Sequence, residues 1–410
     1  MITTINNKHN KLNFSSEREQ SQACLNSAEH EKNQGRKVLN VPNLRFPEFQ
    51  GEWEEHYLSD YLDFKNGLNP KPDKFGKGIK FISVMDILNN AIITNDCIRA
   101  SVDVSEEELQ NFCVENGDML FQRSSETLED VGRANVYMDD KPAVFGGFVI
   151  RGKKKAEYNP LFFRYLLASP FARKKIIPMG AGAQHFNIGQ EGLNRVKLHF
   201  ASLDEQKKIA KILSLLDERI ATQNKIIEKM QTLIKGIAHK VSKQGKPNIR
   251  LSECLLCTSS TLQESDVAEV GAYPVYGANG IVGYLDTYNT TSEAIYIIKD
   301  GSGVGAVSCV KGKCSATGTL NILQTKEGFS LRYLYFILKV FSFEPYKTGM
   351  AIPHIYFKDY GKAKIYCPSN QLQCKYADLL SKIEQKATAE QKILDNLCSQ
   401  KQYLLCQMFI

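Results

Sequence analysis

The amino-acid sequence predicts an α+β protein built as a tandem. Two mixed α/β modules are each followed by a long helix, and the two helices pack as an antiparallel coiled coil with pseudo-two-fold symmetry. Three observations predict this fold class. A seven-residue apolar period runs through residues 202–243, a related stretch returns at 369–410, and short matches in the same order precede both stretches. We therefore interpret the chain as an internal duplication.

The first long helix is predicted to begin at Ser202. Ser202 and Glu205 fit a capping box, which marks a helix start. Behind them, apolar residues recur with the seven-residue period of a seam that packs onto another helix, and Gln223 is the polar exception. The seam residues that we assign to helix packing and partner docking are Leu213, Leu216, Ile220, Ile227, Met230 and Ile234.

The second long helix is the first one shifted by 167 residues, so that Ser369 takes the place of Ser202 and Gln373 that of Gln206. This copy is less regular, because Glu390 and Lys401 interrupt its apolar columns. The seam residues assigned to packing and docking on this helix are Leu380, Ile383, Leu394 and Leu397.

Composition sets broad limits on the class of protein. A length of 410 residues predicts several domains, and 52 basic against 45 acidic residues give a net charge of +7, a mild bias towards polyanions. The eleven cysteines are scattered singly, which indicates reduced thiols and a cytoplasmic protein. No apolar run reaches the length of a membrane span. Residues 1–40 are polar and aperiodic, and we expect a disordered extension there.

The modules are expected at 41–200 and 244–368, with the long helices at 201–243 and 369–410. Each module combines short β-type runs, one helix and a loop before its last strand. The predicted strands of the first module are Lys80–Met85, Ala91–Thr94, Asp118–Gln122, Arg133–Tyr137 and Ala143–Ile150. The second module echoes the first with LSECL for LSDYL, VGAVSCV for VGRANVY, SATGTLNIL for AVFGGFVIR and LRYLYFILK for LFFRYLLAS. Two heads of this kind suit a pseudo-symmetric ligand such as duplex DNA.

Several stretches carry a family resemblance: LRFPEFQGEW, RSSETLEDVGRANV, PLFFRYLLAS, SLDEQKKIAKILSLLDERI and YPVYGANGIVGY. Together they resemble the DNA-specificity subunits of type I restriction-modification systems, over nearly all of residues 41–410. The second helix departs from the family pattern, since NQLQ stands where LDEQ is expected. The resemblance implies that each module is a target-recognition domain for one half of a bipartite DNA site.

The resemblance also implies the partners and cofactors. The two helices would form a spacer and dock two methyltransferase subunits, through which restriction subunits join the complex. The chain itself would be non-catalytic and hold no cofactor, because S-adenosylmethionine, ATP and magnesium are bound by the partner subunits. The expected partner besides these subunits is double-stranded DNA, with no membrane partner.

DNA contacts are expected from loop residues whose side chains suit bases or phosphates. In the first module these are Arg123, Ser124, Ser125, Arg133, Gln184 and His185. In the second module they are Tyr276, Asn279, Lys299, Ser302 and His354, with His354 placed at the position of His185. The basic runs 151–155 and 173–175 are phosphate-contact candidates as well, although a charge run is more often a solvated surface.

Enzyme-like signals are rejected. GSGVG at 301–305 is followed by a strand-like stretch, where a nucleotide loop requires a helix, and no phosphate-binding P-loop is present. Cys254, Cys257, Cys309 and Cys314 fit buried free thiols better than a zinc site, so no metal is expected. Three alternatives stay open: a coiled-coil scaffold that binds proteins, a stand-alone methyltransferase or hydrolase, and a silent copy of a specificity gene.

Overall fold

The computed structural model describes residues 39–410. Within them the chain forms two compact units. The first unit comprises the described residues up to Thr222 together with Leu394–Ile410, and the second comprises Gln223–Ile393. Each long helix therefore contributes residues to both units, whereas the sequence assigned the helices to segments of their own. Residues 1–38 of the expected disordered extension lie outside the described residues.

The first module lies in the first unit and alternates short strands with short helices. Its strands are β1 (Glu54–Tyr57), β2 (Leu62–Asn66), β3 (Phe75–Ile82), β4 (Ser101–Val102), β5 (Met119–Gln122), β6 (Ser124–Ser125), β7 (Ala134–Val136), β8 (Ala143–Phe145), β9 (Val149–Lys154), β10 (Phe186–Asn187) and β11 (Lys197–Phe200). Its helices are α1 (Leu58–Tyr61), α2 (Val84–Asn89), α3 (Glu106–Phe112), α4 (Pro160–Ala168), α5 (Pro170–Ile176) and α6 (Gln190–Asn194), and the long helix α7 (Leu203–Ser242) follows.

An antiparallel sheet in the order β2-β9-β5-β7 forms the centre of the first module. All four residues of β5 are buried, as expected for a central strand covered on both faces. A second sheet, β4-β3-β8, contains the parallel pair β3–β8, and β1 pairs with β11. Helix α4 packs against the sheet; Pro160 occupies its first turn, and the Asn159 side chain accepts a 2.9 Å hydrogen bond from the N–H of Phe162.

Three strand predictions were wrong in detail. The predicted strand Lys80–Met85 ends at Ile82, because Val84 and Met85 begin helix α2 after the N-cap Ser83. The predicted strand Ala143–Ile150 is divided into β8 and β9 by a turn at 146–148, closed by a 2.8 Å hydrogen bond from Val149 N to Gly146 O. The run 91–94 forms no strand, and Ile93 makes only an isolated bridge to Tyr137. The run 143–150 is buried except for Phe148, whereas Ile93 is the buried residue of 91–94. An apolar run alone does not distinguish one paired strand from other buried structure.

The second module lies in the second unit and follows a similar order with fewer short helices. Its strands are β12 (Ile249–Arg250), β13 (Leu255–Ser259), β14 (Tyr273–Gly277), β15 (Gly280–Leu285), β16 (Ala294–Ile298), β17 (Val307–Val310), β18 (Ser315–Ala316), β19 (Leu320–Thr325) and β20 (Lys364–Ile365). Its helices are α8 (Leu251–Cys254), α9 (Leu331–Val340) and α10 (Phe357–Tyr360), and the long helix α11 (Asn370–Gln407) follows.

Three sheets of the first module have counterparts in the second, and only the short pair β6–β10 lacks one. The main sheet is β13-β19-β16-β17, the smaller sheet β15-β14-β18 again contains one parallel pair, and β12 pairs with β20. The predicted fold class is confirmed: two mixed modules of one topology each precede a long helix. The duplication is a property of the fold as well as of the sequence.

The two long helices pack antiparallel, which each unit demonstrates separately. In the second unit, Gln223 Nε2 donates to Glu390 Oε2 at 2.6 Å, and twenty-one residues further along α7's direction Tyr376 Oη donates to Gln244 Oε1 at 2.6 Å. In the first unit, Lys401 Nζ lies 2.6 Å from Asp217 Oδ1. The polar residues that interrupt the seams therefore have partners across the helix pair.

The predicted seam residues lie inside this packing. Leu213 shares a core with Leu405 and Phe409, and Ile234 shares a core with Leu380. Buried seam residues are Leu213, Leu216, Ile227, Ile234, Leu380 and Leu394, and half-buried ones are Ile220, Met230, Ile383 and Leu397. The seam of each helix is thus covered within the chain itself.

Each module is joined to the helix that follows it by the same glutamine contact. Gln206 Oε1 accepts from Asn159 N at 3.0 Å, and its Nε2 donates to Ala201 O at 2.9 Å. Gln373 Oε1 accepts from Ser330 N at 3.0 Å, and its Nε2 donates to Pro368 O at 2.9 Å. Both glutamines are buried and both use donor and acceptor, which fixes the start of α4 or α9 to the start of the long helix.

A second repeated contact joins the module helix to an acidic residue of the long helix. Tyr165 Oη donates to Asp217 at 2.8 Å, and Tyr335 Oη donates to Glu384 at 2.7 Å. Burial raises the pKa of both tyrosine hydroxyls, so they remain protonated donors. An arginine of the module helix supports the acid in each case.

Candidate nucleic-acid interface

In the first module, the structure brings the Arg123–Ser125 segment beside the glycine-rich loop. Strand β6 pairs antiparallel with β10, which places Ser125 opposite Phe186 and Ser124 opposite Asn187. The Ser124 hydroxyl donates to the Asn187 side-chain oxygen. This pairing therefore brings Arg123 and Ser124 close to the loop that carries Gln184 and His185.

The loop that carries Gln184 and His185 is held closed at its base. Ala181 and Asn187 exchange two backbone hydrogen bonds of 2.9 and 2.8 Å. Gly182 has φ +143°, and a Cβ there would lie 2.0 Å from the His185 carbonyl oxygen. Only glycine fits this position, and the closed loop leaves Gln184 and His185 exposed at its tip.

Arg123 lies at the base of this surface and is half-buried. Its Nη1 donates to Gly147 O at 3.2 Å, and its carbonyl oxygen accepts from Ile188 N at 2.9 Å. A guanidinium has five N–H donors, so this contact leaves donors for a base or phosphate. Ser125 is buried and accepts from Thr127 N at 3.2 Å, which makes it part of the turn rather than of the open surface.

Arg133 is ion-paired within the module, at 2.9 Å from Asp130. Arg173 lies behind this pair and donates to the carbonyl oxygens of Val131 at 2.6 Å and Glu129 at 2.8 Å. Burial, together with the neighbouring charge of Arg133, lowers the pKa of Arg173 to about 10. Arg173 therefore supports the turn that presents Arg133, instead of forming part of a phosphate-contacting run.

The other basic run also begins with an interior residue. Arg151 is buried, its guanidinium lies 5.5 Å from the Phe145 ring centre, and Nη1 donates to Cys113 O. Lys153 pairs with Glu115 at 2.9 Å, and Lys155 pairs with Asp63 at 3.4 Å. The phosphate-contact hypothesis for these runs was thus wrong for Arg151 and Arg173, because both guanidinium groups satisfy backbone carbonyls inside the module.

In the second module, Lys299 stands where Arg123 stands in the first. Lys299 O accepts from Ile355 N at 2.9 Å, as Arg123 O accepts from Ile188 N, and Lys299 N donates to Thr319 O, as Arg123 N donates to Phe148 O. Both basic residues follow the central strand of their main sheet. Arg123 and Lys299, which were selected independently from the sequence, therefore occupy equivalent positions in the two modules.

The loop of the second module also repeats that of the first. Thr348 and His354 exchange two backbone hydrogen bonds of 2.9 and 2.8 Å, and Gly349 has φ +88°. His354 therefore corresponds to Asn187, and the placement of His354 at the position of His185 was wrong by two residues. The residue at the position of His185 is Ile352. Pairing at the base of the loop, which the sequence does not display, sets this register.

The remaining candidates of the second module lie at three places. Ser302 is exposed in the turn after β16, where Gly301 N donates to Pro353 O at 3.0 Å and so links this turn to the loop of His354. Tyr276 is half-buried on β14, with its ring 5.9 Å from that of Tyr296. Asn279 is exposed in the turn between β14 and β15. Lys299, Ser302 and His354 are brought together by these backbone contacts.

The four cysteines for which a zinc site was rejected differ in burial, and Cys257 and Cys309 are half-buried. Cys254 and Cys314 are buried, and across residues 39–410 no group of three or more His, Cys, Asp or Glu side chains is arranged to hold a metal ion. Burial raises the pKa of the Cys254 thiol to about 12 and that of Cys257 to about 11. Thiolates are the form that binds metals, and these pKa values disfavour them.

Sequence reasoning missed several residues at or near the interface. Asn187 holds Ser124, Phe148 is exposed in the turn that Arg123 contacts, and Met350 and Ile352 are exposed at the second loop. The offset of 167 residues between the two long helices could have revealed the second loop, because the same offset aligns Thr348 with Ala181 and His354 with Asn187. On the long helices, exposed apolar side chains lie beside the buried seams: Ile212, Leu215, Leu233, Leu372, Leu379, Ile393 and Tyr403.

Two modules of related topology, each with a basic residue beside a tight loop, define a tandem-repeat α+β protein. The family comparison agrees with this class. The chain belongs to the family described as type I restriction modification DNA specificity domain, whose model matches residues 50–232 and 254–398. The two matched ranges fall on the two modules and parts of the helices that follow them.

Curated relatives carry names of the same class. A putative type I restriction enzyme specificity subunit of Methanocaldococcus jannaschii is 28% identical over 214 residues, which cover 51% of this chain and 50% of that protein. A putative type I specificity subunit of Mycoplasma genitalium is 26% identical over 277 residues, covering 62% and 71%. The matched part thus spans half the length of the first relative and somewhat more of the second.

Solved structures show the same fold. The crystal structure of a type I restriction-modification S subunit from M. genitalium superimposes with a TM-score of 0.61 at 20% identity, covering 90% of this chain and 99% of that one. A chain from a structure on complex assembly and conformational transition of the type I system gives a TM-score of 0.51 at 14% identity, covering 86% and 96%. In the part of the chain described here, no helix is long and apolar enough to cross a membrane.

Proposed function

We propose that this chain is the DNA-recognition subunit of a type I restriction-modification complex, in which each module recognises one half of a bipartite site. The observation that carries the proposal is the shared position of Arg123 and Lys299, each beside a loop tightened by a glycine. A basic residue and a rigid loop at one surface supply phosphate neutralisation and side chains for base edges. The family membership of both modules supports the same function.

The chain acts in this proposal without catalysis of its own. Adenine methylation and cleavage are carried out by methyltransferase and restriction subunits, which bind S-adenosylmethionine, ATP and magnesium. Two methyltransferase subunits dock on the long helices. Because the seam residues are covered within the chain, the exposed apolar side chains beside the seams, such as Leu215 and Leu379, are the surface available for docking.

Binding measurements on the assembled complex test the proposal. The chain, co-purified with its methyltransferase subunit, is titrated with specific and scrambled duplexes at increasing salt. We expect tighter binding of the specific duplex and a steep loss of affinity with salt. Phosphate contacts release counterions from the DNA, and this release becomes less favourable as the salt concentration rises. Affinity that is equal for both duplexes and flat with salt would contradict the proposal. A complex that forms with the methyltransferase subunit yet ignores DNA would favour the protein-binding scaffold.

A further inference from the structure

The loop between Thr348 and His354 carries an apolar tip. Met350 is fully exposed and Ile352 is 62% exposed. The corresponding tip in the first module carries Gln184 and His185, whose side chains can donate and accept hydrogen bonds. The two loops therefore share a backbone pairing at their base but offer different chemistry at their tips.

The apolar tip is held away from the module by its own backbone. At Gly349, a Cβ would lie 2.3 Å from the Ile352 carbonyl oxygen, and the φ of +88° disfavours any other residue. Pro353 restricts the next turn, and its carbonyl oxygen accepts from Gly301 N at 3.0 Å. Single exposed apolar residues are common on surfaces, but a pair at the tip of a backbone-locked loop is presented in a fixed position.

The surroundings of the loop favour a nucleic acid as the ligand. Lys299 lies at the base of the loop through the bond from Ile355 N. On the other side, Lys358 Nζ lies 5.2 Å from the ring centre of Tyr356, whose ring is 5.9 Å from that of His354. Lys299 and Lys358 could contact DNA phosphates while the apolar tip contacts a methyl group on a base. The apolar group that a DNA major groove displays is the C5-methyl of thymine.

We propose that Met350 and Ile352 contact thymine C5-methyl groups in the half-site read by the second module. This inference rests on the proposed function and adds the kind of base that the loop selects. The half-site of the second module then contains thymine, on either strand, at the positions facing the loop. The loop of the first module carries Gln184 and His185 at its tip, so its DNA contacts should not depend on a thymine methyl group.

Replacement of thymine by deoxyuridine tests the inference, because it removes only the methyl group. Methylation mapping first gives the two half-sites, and exchange of the second module identifies its half. The assembled complex is then titrated with duplexes that carry single deoxyuridines in that half. We expect about fourfold weaker binding at one or two positions, the usual effect of losing one buried methyl group.

Variants separate this contact from an indirect effect. In the Met350→Ala and Ile352→Ala complexes, the difference between thymine and deoxyuridine should disappear at the contacted position. Val270→Ala is the matched control, since Val270 is an 86% exposed apolar residue of the same module outside the loop, and it should keep the full difference.

Two results would overturn the inference while leaving the proposed function intact. One is a half-site that lacks thymine, or binding that is unchanged by deoxyuridine at every position. The other is a methyl dependence that persists in both loop variants. If the complex does not distinguish the mapped duplex from a scrambled one, the proposed function fails as well, and the two failures are thereby told apart.

Discussion

Gln223 Nε2 donates to Glu390 at 2.6 Å, and these two residues are separated by the 167 positions that relate the two long helices. A position of the first helix therefore meets its own counterpart in the second, as antiparallel packing of repeated helices allows. Gln223 is 8% exposed and also donates to Glu390 O at 3.0 Å. Two of the three polar residues that interrupt the seams, Gln223 and Glu390, thus satisfy each other in one contact.

Gln223→Leu should lower the free energy of unfolding by about 1–3 kcal/mol, because the Glu390 carboxylate loses its donor at a half-buried site. Adding Glu390→Leu should recover most of this loss, since a matched apolar pair replaces a polar one. Urea denaturation followed by circular dichroism measures both, with exposed Gln231→Leu as the control within about 0.5 kcal/mol of the parent. A double variant less stable than the single one would contradict this account.

Gly349→Ala should disrupt the second loop through backbone strain and, in addition, through a clash of the new Cβ with the Ile352 carbonyl oxygen. Gly349 and Gly312 have similar positive φ values, +88° and +82°, but a Cβ at Gly349 meets a carbonyl oxygen whereas Gly312 faces open space. Both alanine variants pay the strain of roughly 1 kcal/mol. Gly349→Ala should in addition weaken specific DNA binding by the assembled complex, measured by anisotropy. Equal DNA affinity of the two variants would show that the loop shape is not needed for recognition.

Stability should fall with alkaline pH because buried thiols resist ionisation. Burial raises the pKa of Cys254 to about 12 and that of Cys367 to about 11, above the ordinary value near 9. Between pH 9 and these values the unfolded chain has released the thiol proton and the native chain has not. Each such thiol therefore lowers the free energy of unfolding by about 1.4 kcal/mol per pH unit above pH 9.

Denaturation curves at pH 8 and pH 10 measure this slope. Cys367→Ser should make the slope shallower by the contribution of one thiol, while the contribution of Cys254 remains. In the folded protein at pH 8, a disulfide reagent should modify the exposed Cys374 well before Cys254. Fast modification of Cys254 or a slope unaffected by Cys367→Ser would contradict the burial described here.

Arg123→Ala and Lys299→Ala should each weaken DNA binding by the complex without unfolding it. A lost phosphate contact reduces the slope of log affinity against log salt by about 0.9, and a lost base contact relaxes specificity in one half-site at a cost of about 1–3 kcal/mol. Salt titrations with both half-sites varied distinguish the two cases. Lys225→Ala, at an exposed position of α7, is the control; an equal effect of all three variants would indicate a general charge effect.

The fold was largely predictable because its signals are long or repeated. Forty residues of seven-residue period define α7, and the constant offset to α11 reveals the duplication and aligns Gln206 with Gln373. Short segments were harder to predict. The run Ala143–Ile150 is apolar throughout, so only the turn at Gly146 shows that two strands are present.

The candidate interface was predictable by type of residue but not by arrangement. Arg123 and Lys299 were selected from loop chemistry, and only backbone pairing shows that they are equivalent. Arg151 and Arg173 stand in charged runs yet donate to interior carbonyls, because a guanidinium can satisfy several carbonyls at once. Met350 was not selected from the sequence, because a sequence does not show on which side of a tight loop a side chain lies.

Methylation mapping by long-read sequencing shows directly whether the two modules recognise two separate half-sites. A methylation-free host would express this chain together with its cognate methyltransferase subunit. We expect a split motif, with two short specified halves around a fixed gap, and changes within 244–368 should alter only one half. A contiguous motif, or changes in the second module that alter both halves, would contradict recognition by two separate modules.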